Sequence, residues 1–370
     1  MARGVAAVLL AAAWPALLPG GARAAEVVRI AVSTGRAEVE LSGPSLAAEP
    51  LRDGAVRAAV VGGTARLRLS GGELLLDGQP VAGAGVSFTA TGPIRHGGRD
   101  LSGEVEVRRA LDGLVVVDVL PLEEYVAAVT GAEMPPSFPP EALKAQAVAA
   151  RTFALGKKLE ARELGLDYDL GATVLDQVYP GTGGADPRAR AAAAATSGEV
   201  LVFEHRPVEA YFHSSCGGTT ESGAEALGRD LPYLRPLRCD RCRGSPRYRW
   251  EALLSAADLG RVAGLPGPAT GARVTRRTAT GRVSKIEVQA GEERVVLDGS
   301  EFRRRVGYDR VPSLAFAVRA GRRGFVLDGR GAGHGVGLCQ WGAAGRASSG
   351  EGYRQILREY YPGAELVRMY

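Results

Sequence analysis

Two proline pairs decide how the most helix-prone stretch of this chain can fold. Pro135-Pro136 and Pro139-Pro140 interrupt a region otherwise rich in Ala, Leu and Glu. A residue before proline is driven out of the α region, so Met134 must end any helix that reaches it. Proline is well placed at a first helical position, because its missing N–H has no partner there. The pattern predicts one helix from Pro121 to about Ala132, a forced break, and a second helix restarting at Pro139-Pro140-Glu141. Glu123 and Glu124 fall in the first turn of the first helix, where carboxylates favour the helix dipole. In the second, Leu143, Ala147, Ala150 and Ala154 share one face. Their small side chains allow close backbone packing, which predicts a buried, Ala-rich central helix. Glu133 is left at the junction, where a carboxylate is held rigidly and can be aimed into a groove.

Upstream the period changes. Arg66-Leu67-Arg68-Leu69 and Glu104-Val105-Glu106-Val107 alternate polar and apolar, and Gly62-Gly63, Gly71-Gly72 and Gly97-Gly98 punctuate such runs. Period two with regular turn signals predicts antiparallel strands, so residues 25–112 read as a β-rich module without assigned chemistry. Residues 113–370 read as one mixed domain. Strands are expected at 114–119, 199–203, 208–211, 284–289, 294–297 and 325–327, with a terminal helix at 353–361. Helices and strands do not alternate regularly, so the expected class is α+β: a β-rich N-terminal module, then a catalytic domain around the buried helix.

The first residues are set aside from the fold. Arg3, an apolar run over residues 5–18 and the small-x-small site Ala22-Arg23-Ala24 make residues 1–24 a secretory signal peptide. The run is short for a bilayer span, so no stable membrane anchor is expected after cleavage, and the location is periplasmic or extracellular. Net charge is +5 and falls to +3 without Arg3 and Arg23. No dense basic stripe accompanies it, so nucleic acid is not an expected partner.

Several separated segments then fall into register with one family. Leu122-Glu123-Glu124-Tyr125-Val126, Glu133-Met134-Pro135 and Glu141 through Phe153 form the first. Ala210-Tyr211-Phe212-His213-Ser214-Ser215-Cys216-Gly217-Gly218 forms the second, and Gly331-Ala332-Gly333-His334-Gly335-Val336-Gly337-Leu338-Cys339-Gln340-Trp341 the third. In order, from about residue 110 to the end, they resemble the SpoIID/LytB family of sporulation and amidase-enhancer proteins. The resemblance implies a murein lytic transglycosylase in which Glu133 is the catalytic acid. Peptidoglycan glycan strands would be the substrate, and a wall amidase a candidate partner. A lytic transglycosylase needs one carboxylate, because the sugar's own 6-hydroxyl attacks the anomeric carbon. That acid must stay protonated near neutral pH, so Glu133 is expected to be partly buried, with a raised pKa. No cofactor is needed for this chemistry.

His334, Gln340 and Trp341 of the resembling motifs, together with Gln177 and Tyr179, are candidates to line the groove, since aromatic and amide side chains suit sugar faces and hydroxyls. Ser214 and Ser215 are candidates for the same lining. A Ser–His hydrolase is rejected, because no nucleophile-elbow pattern surrounds either serine.

Cys239-Asp240-Arg241-Cys242 has the spacing with which two thiolates bind one zinc. Some members of the resembled family carry a zinc held by Cys and His. The first ligand set is Cys216, Cys239, Cys242 and Cys339; the second replaces Cys339 with His213. Two disulfides, favoured by export, are the competing reading, and a redox C-x-x-C is the third. Each is structural except the last. Two functional alternatives also stand: a non-catalytic amidase enhancer or wall-binding protein, and a two-carboxylate hydrolase using Glu124, Glu141 or Glu221 as second acid.

Overall fold

A computed structural model describes residues 25–51, 59–60, 62–173, 176–183 and 185–370. The signal-peptide reading of residues 1–24 lies outside these. The architecture is α+β, with a β-rich N-terminal region.

Strand Val27–Arg36 runs antiparallel to Gly113–Pro121, which pairs in turn with Glu104–Ala110. A second sheet is built on Glu38–Ser42 and Thr64–Ser70. The alternation is honoured there: Ala65 and Leu67 are buried while Arg66 and Arg68 are exposed. In Glu104–Ala110 the polar residues Glu106 and Arg108 are buried too, while Glu104 and Arg109 are exposed. Glu106 is bridged there by Arg29 and Arg108, and Arg108 also reaches Asp167 at 2.6 Å. The boundary read at 112/113 falls at the tight turn where Ala110 faces Gly113, and one apolar cluster runs through both sides of it.

Helix α1 (Leu122–Glu133) follows that strand directly, with Pro121 as its N-cap rather than its first residue. Helix α2 (Pro140–Glu163) starts with proline at its first turn and runs for 24 residues. From Ala142 to Leu155 it is buried nearly all round, as an apolar stretch at the centre of a domain must be, while its last turns are largely exposed. Arg151 is fully buried within it. The guanidinium donates to Glu123 at 2.8 and 2.6 Å and to the carbonyls of Glu199 and Ala193, tying three elements together. Helix α3 (Pro187–Ala195) was not anticipated, although Asp186 caps it through the Arg188 N–H and Pro187 opens it. The expected strand at 208–211 is absent: Tyr211 N–H bends back to the Glu209 carbonyl, and pairing begins only at Phe212.

Residues 250–329 form a separate body. Two three-stranded sheets and the helices Ala256–Ala263 and Gly299–Val306 enclose their own core of Leu259, Ile286, Val288, Phe302 and Phe316.

Candidate active site

Glu133 is the last residue of α1. Met134 takes an extended conformation and is buried, and its N–H closes the helix on Thr130. The diproline prevents any continuation, so the Glu133 side chain leaves the helix end at a fixed angle. It is half-buried. One carboxylate oxygen accepts the Val178 N–H at 3.2 Å, and the other accepts Gln340 Nε2 at 3.4 Å. Gln340 also donates to Gln146 Oε1 at 3.4 Å, making a chain of buried amides behind the acid. Burial raises the Glu133 pKa above the ordinary carboxylate value, against the smaller opposing effect of the two hydrogen bonds. Among the described residues no cation pairs with it.

Gln177 and Tyr179, expected to line the groove, are buried behind it. Gln177 accepts the Tyr125 hydroxyl at 2.8 Å, and Tyr179 donates to Asp118 at 2.6 Å. Burial alternates along the segment, with Gln177 and Tyr179 inside and Val178 exposed, while Val178 presents its N–H to Glu133. These two residues fix that amide in place.

The His334 loop is held by a short parallel pairing of Phe212–His213 with Leu338–Cys339. His334 donates from Nε2 to the Phe212 carbonyl at 2.9 Å and accepts the Val336 N–H at Nδ1. Burial lowers its pKa to about 4, so the ring is neutral near pH 7. Glycine is required at 337: φ is +69°, and a Cβ would lie 2.0 Å from the Tyr211 carbonyl oxygen. Ser214 is half-buried, and its carbonyl accepts the Trp341 N–H. Trp341 stands edge-on to Phe138 at 4.9 Å, flanking the diproline turn. Ser215 is buried, and its hydroxyl has no partner among the described residues.

The four cysteines converge. Their sulfurs all lie within 4.8 Å of one another, and all four are buried. Tetrahedral thiolate coordination at about 2.3 Å implies sulfur separations of about 3.8 Å, so the cluster fits a metal ion. Peptide N–H groups of Cys216 and Gly342 point at the Cys339 sulfur, each at 3.3 Å, as suits a charged thiolate. His213 stands outside the sulfur group, with Nδ1 against the Val336 carbonyl and Nε2 unpartnered among the described residues. The geometry therefore selects the four-cysteine ligand set over the set with His213. Cys339 immediately precedes Gln340, so the cluster anchors the residue that touches Glu133.

The candidate second acids are engaged elsewhere or exposed. Glu221 is buried and accepts Thr278 and Thr280 hydroxyls at 2.6 and 2.5 Å, docking the 250–329 body. Glu141 binds Lys144 and the Tyr353 N–H, and Glu124 is exposed. Sequence reasoning missed Gln146, a lone amide in an alanine run, and the Val178 amide, which carries no side-chain signal.

Several known proteins are similar to this chain. Residues 111–203 match the stage II sporulation protein family SpoIID, and residues 241–337 match a domain family of unknown function. An uncharacterised protein of Brachyspira hyodysenteriae is 34% identical over 260 residues, 69% of each chain. Stage II sporulation protein D of Bacillus amyloliquefaciens is 32% identical over 268 residues, covering 68% of this chain and 75% of that protein. The amidase enhancer of Bacillus subtilis is 27% identical over 291 residues, 64% of this chain but 39% of its own length. Identity at this level over two thirds of both partners makes the assignment: the chain belongs to the SpoIID family.

Proposed function

We propose that this chain is an exported lytic transglycosylase that cuts peptidoglycan glycan strands with Glu133 as sole acid and base. The observation that carries the reading is the Glu133 carboxyl itself: half-buried, raised in pKa, unpaired with any cation among the described residues and held by two amide donors from distant segments. Protonated, it gives its proton to the glycosidic oxygen as the bond to the anomeric carbon breaks. The muramyl 6-hydroxyl attacks that carbon, and its proton returns to Glu133, leaving a 1,6-anhydro end. Gln340 and the Val178 N–H keep the carboxyl oriented through both transfers. The engagement of Glu141 and Glu221 elsewhere favours this route over a two-carboxylate hydrolase.

A zinc ion at Cys216, Cys239, Cys242 and Cys339 would serve as a structural cross-link between three loops. The similarity to an amidase enhancer supports a second reading, in which the protein binds wall glycan without cutting it and assists an amidase. The signal-peptide pattern of residues 1–24 supports export. Among the described residues no helix is long and apolar enough to cross a membrane.

Mass spectrometry of strand ends separates these readings. Anhydro-muramyl ends are expected, and Glu133→Gln should lower their formation by about a thousandfold or more, with the fold intact. Reducing ends would indicate hydrolysis, and no cleavage would favour the enhancer. Turnover should also decline as pH rises through the Glu133 pKa, which lies above the usual value of about 4.3; an increase over that range contradicts the acid role. Metal analysis of protein purified without chelator tests the zinc.

A further inference from the structure

The 250–329 body meets the cysteine loops across a small cleft of about 210 Å³. Arg282 and Arg330 enter from one side, and Arg238 and Arg243 from the loop that carries the C-x-x-C pair. Arg282 is only 3% exposed. Its Nη2 donates to the Cys216 and Thr219 carbonyls at 2.9 and 3.1 Å, while Nε and Nη1 have no hydrogen-bond partner among the described residues. The nearest acid, Glu221, stands 3.9 Å from Nε and is already held by two threonines. Arg238, Arg243 and Arg330 are exposed, and no ion pair or hydrogen bond from their side chains occurs among the described residues. Asp240 also lines the cleft, but its carboxylate faces Arg241. Four guanidiniums around one cleft, with two buried donors unmatched, are an unbalanced arrangement in the absence of an anion.

We propose that this cleft binds a carboxylate of the wall polymer, and that the 250–329 body contributes Arg282 to it. The proposal rests on the glycan reading above. Planar guanidiniums match carboxylates bidentately, which neutral sugar hydroxyls cannot offer. The carboxylate has two sources on peptidoglycan: the lactyl group of muramic acid once stem peptides are removed, or the stem peptide itself.

The test uses the mature full-length chain carrying Glu133→Gln, so that binding is read without turnover. Calorimetric titration compares stripped glycan oligosaccharides, the same oligosaccharides with lactyl groups methyl-esterified, and free stem tetrapeptide. Esterification, or Arg238→Gln with Arg330→Gln, should each weaken binding of the stripped oligosaccharide about tenfold or more if the lactyl group is the ligand. If the peptide is the ligand, the same double variant should weaken tetrapeptide binding instead. Unchanged affinity of the double variant for both probes overturns the proposal, as does an equal loss towards the ester. Metal content of the variant should match the parent; a fall would assign these arginines to the thiolate cluster instead. Cleavage by the unmutated chain, read from anhydro ends, reports on Glu133 alone, so the two ideas can fail separately.

Discussion

Around α2 the core is built from alanines and one buried arginine; in residues 250–329 it is built from phenylalanines and branched aliphatics. The alanine core is continuous with both N-terminal sheets in a single apolar cluster. The other core is closed on itself, and polar contacts carry much of its docking, through Glu221, Thr278, Thr280 and Arg282. Close-packed alanines bring backbones together and fix the angle at which α1 delivers Glu133. A core of large side chains positions nothing so finely, but it makes an independent support for a second surface.

The contrast can be broken most decisively at Phe302. Its replacement by alanine should cost about 3–5 kcal/mol, confined to the 250–329 body. Calorimetry should then show an early transition split from the main one; a single transition moving as a whole would mean that the two cores fold as one. A smaller effect is expected from Ala150→Val on α2, where overpacking should cost about 1–3 kcal/mol and lower the main transition alone. If that variant melts like the parent, the alanine face is not closely packed. Smallest is Val296→Thr. The side chain is 51% exposed, so the change should stay within about 0.5 kcal/mol by chemical denaturation. A larger loss would place Val296 under an unrecognised contact.

The proline signals made α1 and α2 legible from sequence, because proline acts on its own neighbours. The three strands near 284, 294 and 325 were legible through their composition, yet their enclosure of a separate core was not: periodicity names an element's apolar face without saying what it meets. Gln177 and Tyr179 show the same limit. Their chemistry suits sugars, but only their buried partners, Tyr125 and Asp118, reveal that both turn inward. The cysteines could be counted in advance, whereas their convergence depends on loops far apart in the chain.

The two hydrogen bonds that orient Glu133 come from 45 and 207 positions away. Until the last third of the polypeptide has threaded into place, the carboxyl lacks Gln340, one of the two donors that hold it. A molecule caught half-assembled thus presents Glu133 without its full setting, which is complete only when assembly finishes.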